Sequence, residues 1–182
     1  LPRVRRDAPA RTIERGLGAI ALIAAVMLIV GAGVVRHIAN NSIEAGHEAA
    51  RSYQLKLELV NLESAVGQAE AGTRAYVMTG KSSSLEPYQV GRVEAGLSLA
   101  ALRPLTSNVP FQSTDVTQLE QMVQQRMETF AKTNSAREDL GVESARAVLD
   151  TDTQHELAAH IKSLINVMKD REQRTLDASL SR

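Results

Sequence analysis

The sequence predicts an all-α protein: an antiparallel up-down-up-down four-helix bundle whose long first helix is continuous with an N-terminal transmembrane helix. Three observations predict it. The five prolines, Pro2, Pro9, Pro87, Pro104 and Pro110, leave residues 10–86 and 111–182 without a helix-breaking imino acid, and β-branched runs are few. Such stretches favour long helices over strands. Apolar residues then recur at helical spacing along both stretches, and the twenty residues from Gly16 to Val35 carry no charge. At about 1.5 Å per residue that run makes roughly 30 Å of helix, the thickness of a bilayer's hydrocarbon core.

Flanking charge orients the apolar run. Arg3, Arg5, Arg6, Arg11 and Arg15 outweigh Asp7 and Glu14 before it, a balance of +3, whereas 16 basic and 19 acidic residues follow it, a balance of −3. Positive charge on the N-terminal side of a first span predicts that side to be cytoplasmic. Residues 1–15 are thus expected as a cytoplasmic tail that also touches anionic membrane lipid. Residues 16–36 are the transmembrane helix, and residues 37–182 are a periplasmic domain on a bacterial inner membrane. A cleaved signal peptide is the competing reading, but its core is normally about 7–15 residues and ends at a small-x-small site. Here Arg36-His37-Ile38 follows a longer core directly. A buried helix of a soluble protein is rarely apolar on every face over such a length.

The first external helix carries Leu55, Leu59, Leu62, Val66, Ala69, Thr73 and Tyr76 in a 4-3-4-3-4-3 spacing, a seam for packing against other helices. Gly80 supplies its stop after about Met78, and Lys81-Ser82-Ser83 a turn. A second helix is expected from Ser83 or Ser84, whose hydroxyls cap it, with Pro87 tolerated in the first turn. Val90, Val93, Leu97 and Ala100 or Ala101 form its predicted apolar face, and Pro104, Asn108 and Pro110 its end. A third, near Ser113–Leu140, buries Val116, Leu119, Val123, Met127 and Phe130 and stops at Gly141. After a short turn at Ser144–Leu149, Thr153-Gln154-His155-Glu156 reads as a capping box. The fourth helix then presents Leu157, Ile161, Leu164 or Ile165, and Met168. The last residues continue this helical pattern and the first is Leu, so the chain is expected to be a piece of something longer.

Several function classes are excluded. The absence of cysteine rules out disulfides and thiolate metal sites. Outside the N-terminal tail there is no basic stripe, so nucleic acid is not a partner. His155 and His160 are five apart and point to different faces. Asp150-Thr151-Asp152 lacks the glycine and distal glutamate of a calcium loop. With no nucleophile–base set and no phosphate loop, the piece is read as non-enzymatic, without metal or cofactor.

Glu70 and Arg74, four apart with the acid first, form a surface ion pair, or else Arg74 is a ligand contact near the membrane-distal turn. Tyr76 and Tyr88 either pack the tip of the bundle or line a binding pocket. Gly67 and Gly72 each cost roughly 1 kcal/mol in a helix relative to Ala, which close helix approach would explain. Asp170, Arg171 and Glu172 interrupt the last apolar row near the membrane, by default on a solvated face, with an interhelical role as the alternative.

The segment Asn61-Leu-Glu-Ser-Ala-Val66, then Glu70-Ala-Gly-Thr-Arg-Ala-Tyr-Val-Met-Thr-Gly80, then Leu85-Glu-Pro-Tyr88 resembles the third subtype of the cyclase- and histidine-kinase-associated sensory extracellular (CHASE) domains. That family shows Asn-x-x-Ser-Ala, Gly-x-Arg-x-Tyr-x-x-Thr-Gly and Leu-x-x-Tyr, and the resemblance extends over roughly residues 45–180. It implies a sensory input module feeding a histidine kinase, a diguanylate or adenylate cyclase, or a chemoreceptor. A transmembrane histidine kinase is the favoured context. A chemoreceptor or cyclase input is the alternative, and a non-signalling helical tether a further one. The heptad seam and the family's dimeric outputs imply a parallel homodimer, with a small ligand or periplasmic protein as the stimulus. Displacement of the first helix against the fourth, Leu55, Leu59 and Leu62 facing Leu164, Ile165 and Met168, is the expected route across the membrane.

Overall fold

A computed structural model describes the backbone of residues 10–180 and the side chains of residues 46–178 together with Met27. The helices are α1 (Ala10–Thr79), α2 (Glu86–Thr106), α3 (Pro110–Asp139), α4 (Val142–Leu149) and α5 (Asp152–Leu180), with a 3-10 turn at Ser82–Leu85. The chain divides into two compact units, Leu1–His47 and Glu48–Arg182. Apart from Met27, the side chains of the expected span at 16–36 lie outside the described residues. Among the described residues no helix is long and apolar enough to cross a membrane.

In the second unit one core gathers side chains from four helices. Leu55, Leu59, Leu62 and Ala65 of α1 meet Ala95 and Leu102 of α2, Val116, Leu119 and Val123 of α3, and Leu157, Ile161, Ile165 and Met168 of α5. Burying each leucine fully contributes about 1.5–3 kcal/mol. Polar contacts set the helix directions. Arg51 donates to the Leu105 carbonyl at 2.9 Å, whereas the Gly91 Cα lies against the α1 backbone at Ala65 and Ala69, so α2 descends beside α1. Ser52 reaches Glu172 while Arg126 reaches both Glu70 and Gln154, so α5 runs opposite to α1 and to α3.

Helix ends follow local chemistry. Gly80 has φ +66° and donates to the Tyr76 carbonyl at 2.8 Å, the left-handed stop that glycine accepts without a Cβ clash. Gly141, at φ +93°, separates α3 from α4. The segment expected as a turn over Ser144–Leu149 is instead helical, and α4 buries Ala145 and Leu149 one turn apart. Leu149 joins Ala69, Tyr88 and Phe130 in a second cluster.

Three expectations about α2 are corrected. Its cap is Leu85, with no side-chain hydrogen bond from the serines. Pro104 does not end it but lies within its last turn. There the carbonyls freed at the helix end find other donors: Thr106 Oγ1 bonds the Leu102 carbonyl at 3.0 Å, and Ser107 Oγ bonds that of Pro104 at 3.1 Å. Its buried face is Tyr88, Gly91, Ala95, Ser98, Leu102 and Thr106, while Val93 and Leu97 are 61% and 66% exposed and Val90 is exposed too. The reason is contact distance. A Cβ on Gly91 would stand 2.4 Å from the Ala65 carbonyl oxygen, and one on Gly72 2.4 Å from the Tyr88 nitrogen. Two backbones this close exclude large side chains. In α5, Thr153 falls inside a helix that opens at Asp152, one position short of the expected cap.

Candidate functional site

Along α3 the positions 116, 119, 123, 126, 130 and 133 keep a 3-4-3-4-3 stride, and all six are buried. The fourth is an arginine. Arg126 is 2% exposed. Its Nη2 donates to Glu70 Oε2 at 3.0 Å, and its Nη1 donates to Gln154 Oε1 at 3.0 Å and to the Gln154 carbonyl at 3.2 Å. The guanidinium lies 4.7 Å from the Phe130 ring centroid, a cation–π distance. Glu70 Oε1 accepts from Arg74 Nε at 3.1 Å, and Arg74 Nη1 stands 3.6 Å from Asp150 Oδ1. A polar chain thus runs Gln154–Arg126–Glu70–Arg74–Asp150, from the core to a surface where Arg74 and Asp150 are about half exposed.

Burial alone would push the Glu70 carboxyl up. The hydrogen bond and charge of Arg126, then those of Arg74, outweigh it and hold the group below its ordinary value. Nearby in sequence and burial, Thr73 Oγ1, Arg126 Nε and both amide atoms of Asn134 are buried without a hydrogen-bond partner. Unsatisfied groups of this kind cost about 1–3 kcal/mol each.

A second polar layer closes the other end of the core. Glu172 is 2% exposed; it accepts from Ser52 Oγ at 2.6 Å and from the Gln112 side-chain amide, joining α1, α3 and α5. Around it Arg171 pairs with Asp115 at 2.6 Å, Lys169 with Glu63 at 2.8 Å, and Lys56 with Gln173. Of residues 170–172, Asp170 alone keeps the default solvated face, and the alternative interhelical role holds for the other two. Arg171 and Glu172 bridge helices.

The motif at 72–88 has a structural reading. Gly72 admits the Tyr88 backbone, and Gly80 turns the chain. Thr79 Oγ1 donates to the Ala75 carbonyl at 2.7 Å and lies 2.9 Å from Ser84 Oγ, latching the turn. Tyr76 and Tyr88 are each 8% exposed, Tyr88 beside Phe130, and Arg74 stands at the surface. Leu55, Leu59, Leu62, Ile165 and Met168 share one core, with Leu164 packed at its edge. Gly67 differs from Gly72: nothing lies within 4 Å of its Cβ position. Hydropathy passes over Arg126, Gln112, Ser52 and Glu172, but the 3-4 stride marks all four: Ser52 stands three before Leu55, Gln112 four before Val116, Arg126 three after Val123 and Glu172 four after Met168.

The comparison with curated proteins and that with solved structures gave no match. A family model, the CHASE3 domain, matches residues 45–182, a span that takes in both polar layers and the whole of the motif. This chain belongs to the CHASE3 family, the extracellular sensory domains of signalling receptors.

Proposed function

We propose that the chain is the extracytoplasmic input of a transmembrane receptor, most simply a sensor histidine kinase, anchored in a bacterial inner membrane by residues 16–36. Residues 37–182 face the periplasm as an up-down-up-down four-helix bundle, and two copies associate in parallel. The observation that carries the reading is the pairing of α1 with α5. Ser52–Glu172 and Lys56–Gln173 lie at one end of the shared core and Glu63–Lys169 along its flank, and the Arg126 network lies at the other end. A stimulus that competes for Arg74 at the surface, with Tyr76 and Tyr88 packed behind it, alters the balance on Glu70 and Arg126. Through them it biases the packing of Leu55, Leu59 and Leu62 against Leu164, Ile165 and Met168. The stimulus is a small ligand or a periplasmic protein. Its effect is limited to its differential affinity for the two packings, about 1–3 kcal/mol of coupling.

Topology is tested with single cysteines in this cysteine-free chain. Ser52 is buried and bonded, so the reporter belongs at exposed Glu138. An impermeant maleimide applied outside the inner membrane should label Glu138→Cys and spare Arg5→Cys; the reverse pattern refutes the orientation. Transmission is tested by the output of the full receptor, autophosphorylation if a kinase follows. A folded Leu59→Ala receptor should shift its basal output relative to Glu58→Ala. Wild-type basal activity and response would remove this core from the signal path.

A further inference from the structure

Packing explains only part of the Asn-x-x-Ser-Ala stretch at 61–65. Ala65 has its reason, since its carbonyl oxygen lies against Gly91. Asn61 and Ser64 are exposed, and neither side chain makes a hydrogen bond among the described residues. What they share is a place. With Glu94, Leu97 and Ser98 of α2 they line an open groove of about 370 Å³ between α1 and α2. Small-molecule sites occupy roughly 300–1,000 Å³.

Ser98 distinguishes this groove from a crease between helices. It is 5% exposed, yet its hydroxyl is neither hydrogen-bonded nor sealed among other atoms. A helical serine or threonine commonly bonds the carbonyl four residues back, as Thr106, Thr117 and Thr133 do in this chain. Ser98 does not, and its hydroxyl opens on the groove. Glu94 supplies the only charge on the lining. It forms no ion pair among the described residues. The one cation within four residues of it, Arg92, stands about 200° away round the helix. A carboxylate beside two hydroxyls and a carboxamide repels anions and accepts a cation that carries further N–H or O–H groups. Leu97, largely exposed, adds an apolar wall.

We infer that this groove binds a small organic ammonium ion. The ammonium sits on Glu94, a second polar group meets Asn61, Ser64 and Ser98, and a short carbon chain lies along Leu97. The site is separate from Arg74, which stands about 15 Å farther along α1 than Ser64, and does not depend on the competition proposed there. The test uses the isotope-labelled full chain in detergent micelles, followed by amide NMR. The probe is aminobutanol, with its ammonium and hydroxyl at opposite ends, and the uncharged control is butanediol of the same length. Each is titrated to about 20 mM, well past the ~1 mM dissociation constant expected of so open a site. Binding requires saturable aminobutanol shifts at Asn61, Ser64 and Ser98, and an affinity at least tenfold weaker for the diol. Glu94→Gln, at an exposed position, should weaken aminobutanol at least tenfold, and Ser98→Ala at least threefold, with helical content unchanged in both. Shifts that never saturate, or an affinity unchanged in Glu94→Gln, would overturn the site. Equal affinity for the diol would overturn the ammonium. Shifts gathered at Arg74 and Tyr76 would overturn the groove and leave the Arg74 surface as the ligand site.

Discussion

Replacing Arg126 separates two roles that its side chain combines, filling the core and bridging three helices. Arg126→Ala removes the hydrogen bonds to Glu70 and Gln154 and the contact with Phe130, and it empties the volume. Breaking a buried ion pair typically costs about 3–5 kcal/mol because the partner is left uncompensated. Here Glu70 keeps Arg74 and its side chain is 26% exposed, so the loss belongs at the low end, about 3 kcal/mol. Arg126→Met keeps most of the volume and also relieves the unpartnered Nε. Apolar replacement of a buried charge is often near neutral, and about 1 kcal/mol is expected. For a domain of this size 1 kcal/mol moves the melting temperature by about 3–5 °C. Thermal loss of the far-ultraviolet helical signal should therefore fall by about 9–15 °C for Arg126→Ala and by no more than about 5 °C for Arg126→Met. Equal losses in the two variants would show that the polar bridge, not the filled volume, holds the core, and the reasoning would fail.

Leu59→Ala, at a fully buried position, should cost about 2–5 kcal/mol in the same melt through the cavity it leaves. Gly91→Ala drives a Cβ into the Ala65 carbonyl and should destabilise by about 1–3 kcal/mol. Gly96→Ala on the same helix, with nothing within 4 Å, should instead gain up to about 1 kcal/mol; the two melts must move in opposite directions. Acid should weaken the fold through Glu70. Its carboxyl lies below the ordinary value of 4.5 in the folded chain, so its contribution is complete above about that pH and is lost as pH falls through the folded value. Glu70→Gln should accordingly flatten the stability curve on its acid side, measured by denaturant titration from pH 6 downward.

Which parts of this structure are legible in the sequence depends on what hydropathy measures. The face of α1 was, because Leu55, Leu59 and Leu62 are large, apolar and on a heptad stride. The stops at Gly80 and Gly141 were, because only glycine takes their positive φ cheaply. The face of α2 was not. Its contact with α1 is so close that Gly91, Ala95 and Ser98 fit and Val93 and Leu97 do not, so the most hydrophobic stripe is the one left outside. Nor were the polar layers, because Arg126 and Glu172 are of types normally found at the surface, and only partners distant in sequence make their burial possible. Resemblance of the 61–88 motif reached the family where periodicity could not.

The backbone seat of α2 on α1 makes the helices mechanically unequal. At Gly91 a single added Cβ would stand within 3 Å of the Ala65 carbonyl oxygen and the Ala69 nitrogen, so sliding a residue that carries a side chain into that place, about 1.5 Å along the axis, would press it against main chain. By contrast α5 is tied to α1 near its end through side chains: the long pairs Lys56–Gln173 and Glu63–Lys169 can follow such a shift by turning their torsions, while the short buried Ser52–Glu172 bond at 2.6 Å would break. Side-chain substitution can therefore loosen the α1–α5 contact by degrees, whereas at Gly91 even one added carbon meets main-chain atoms.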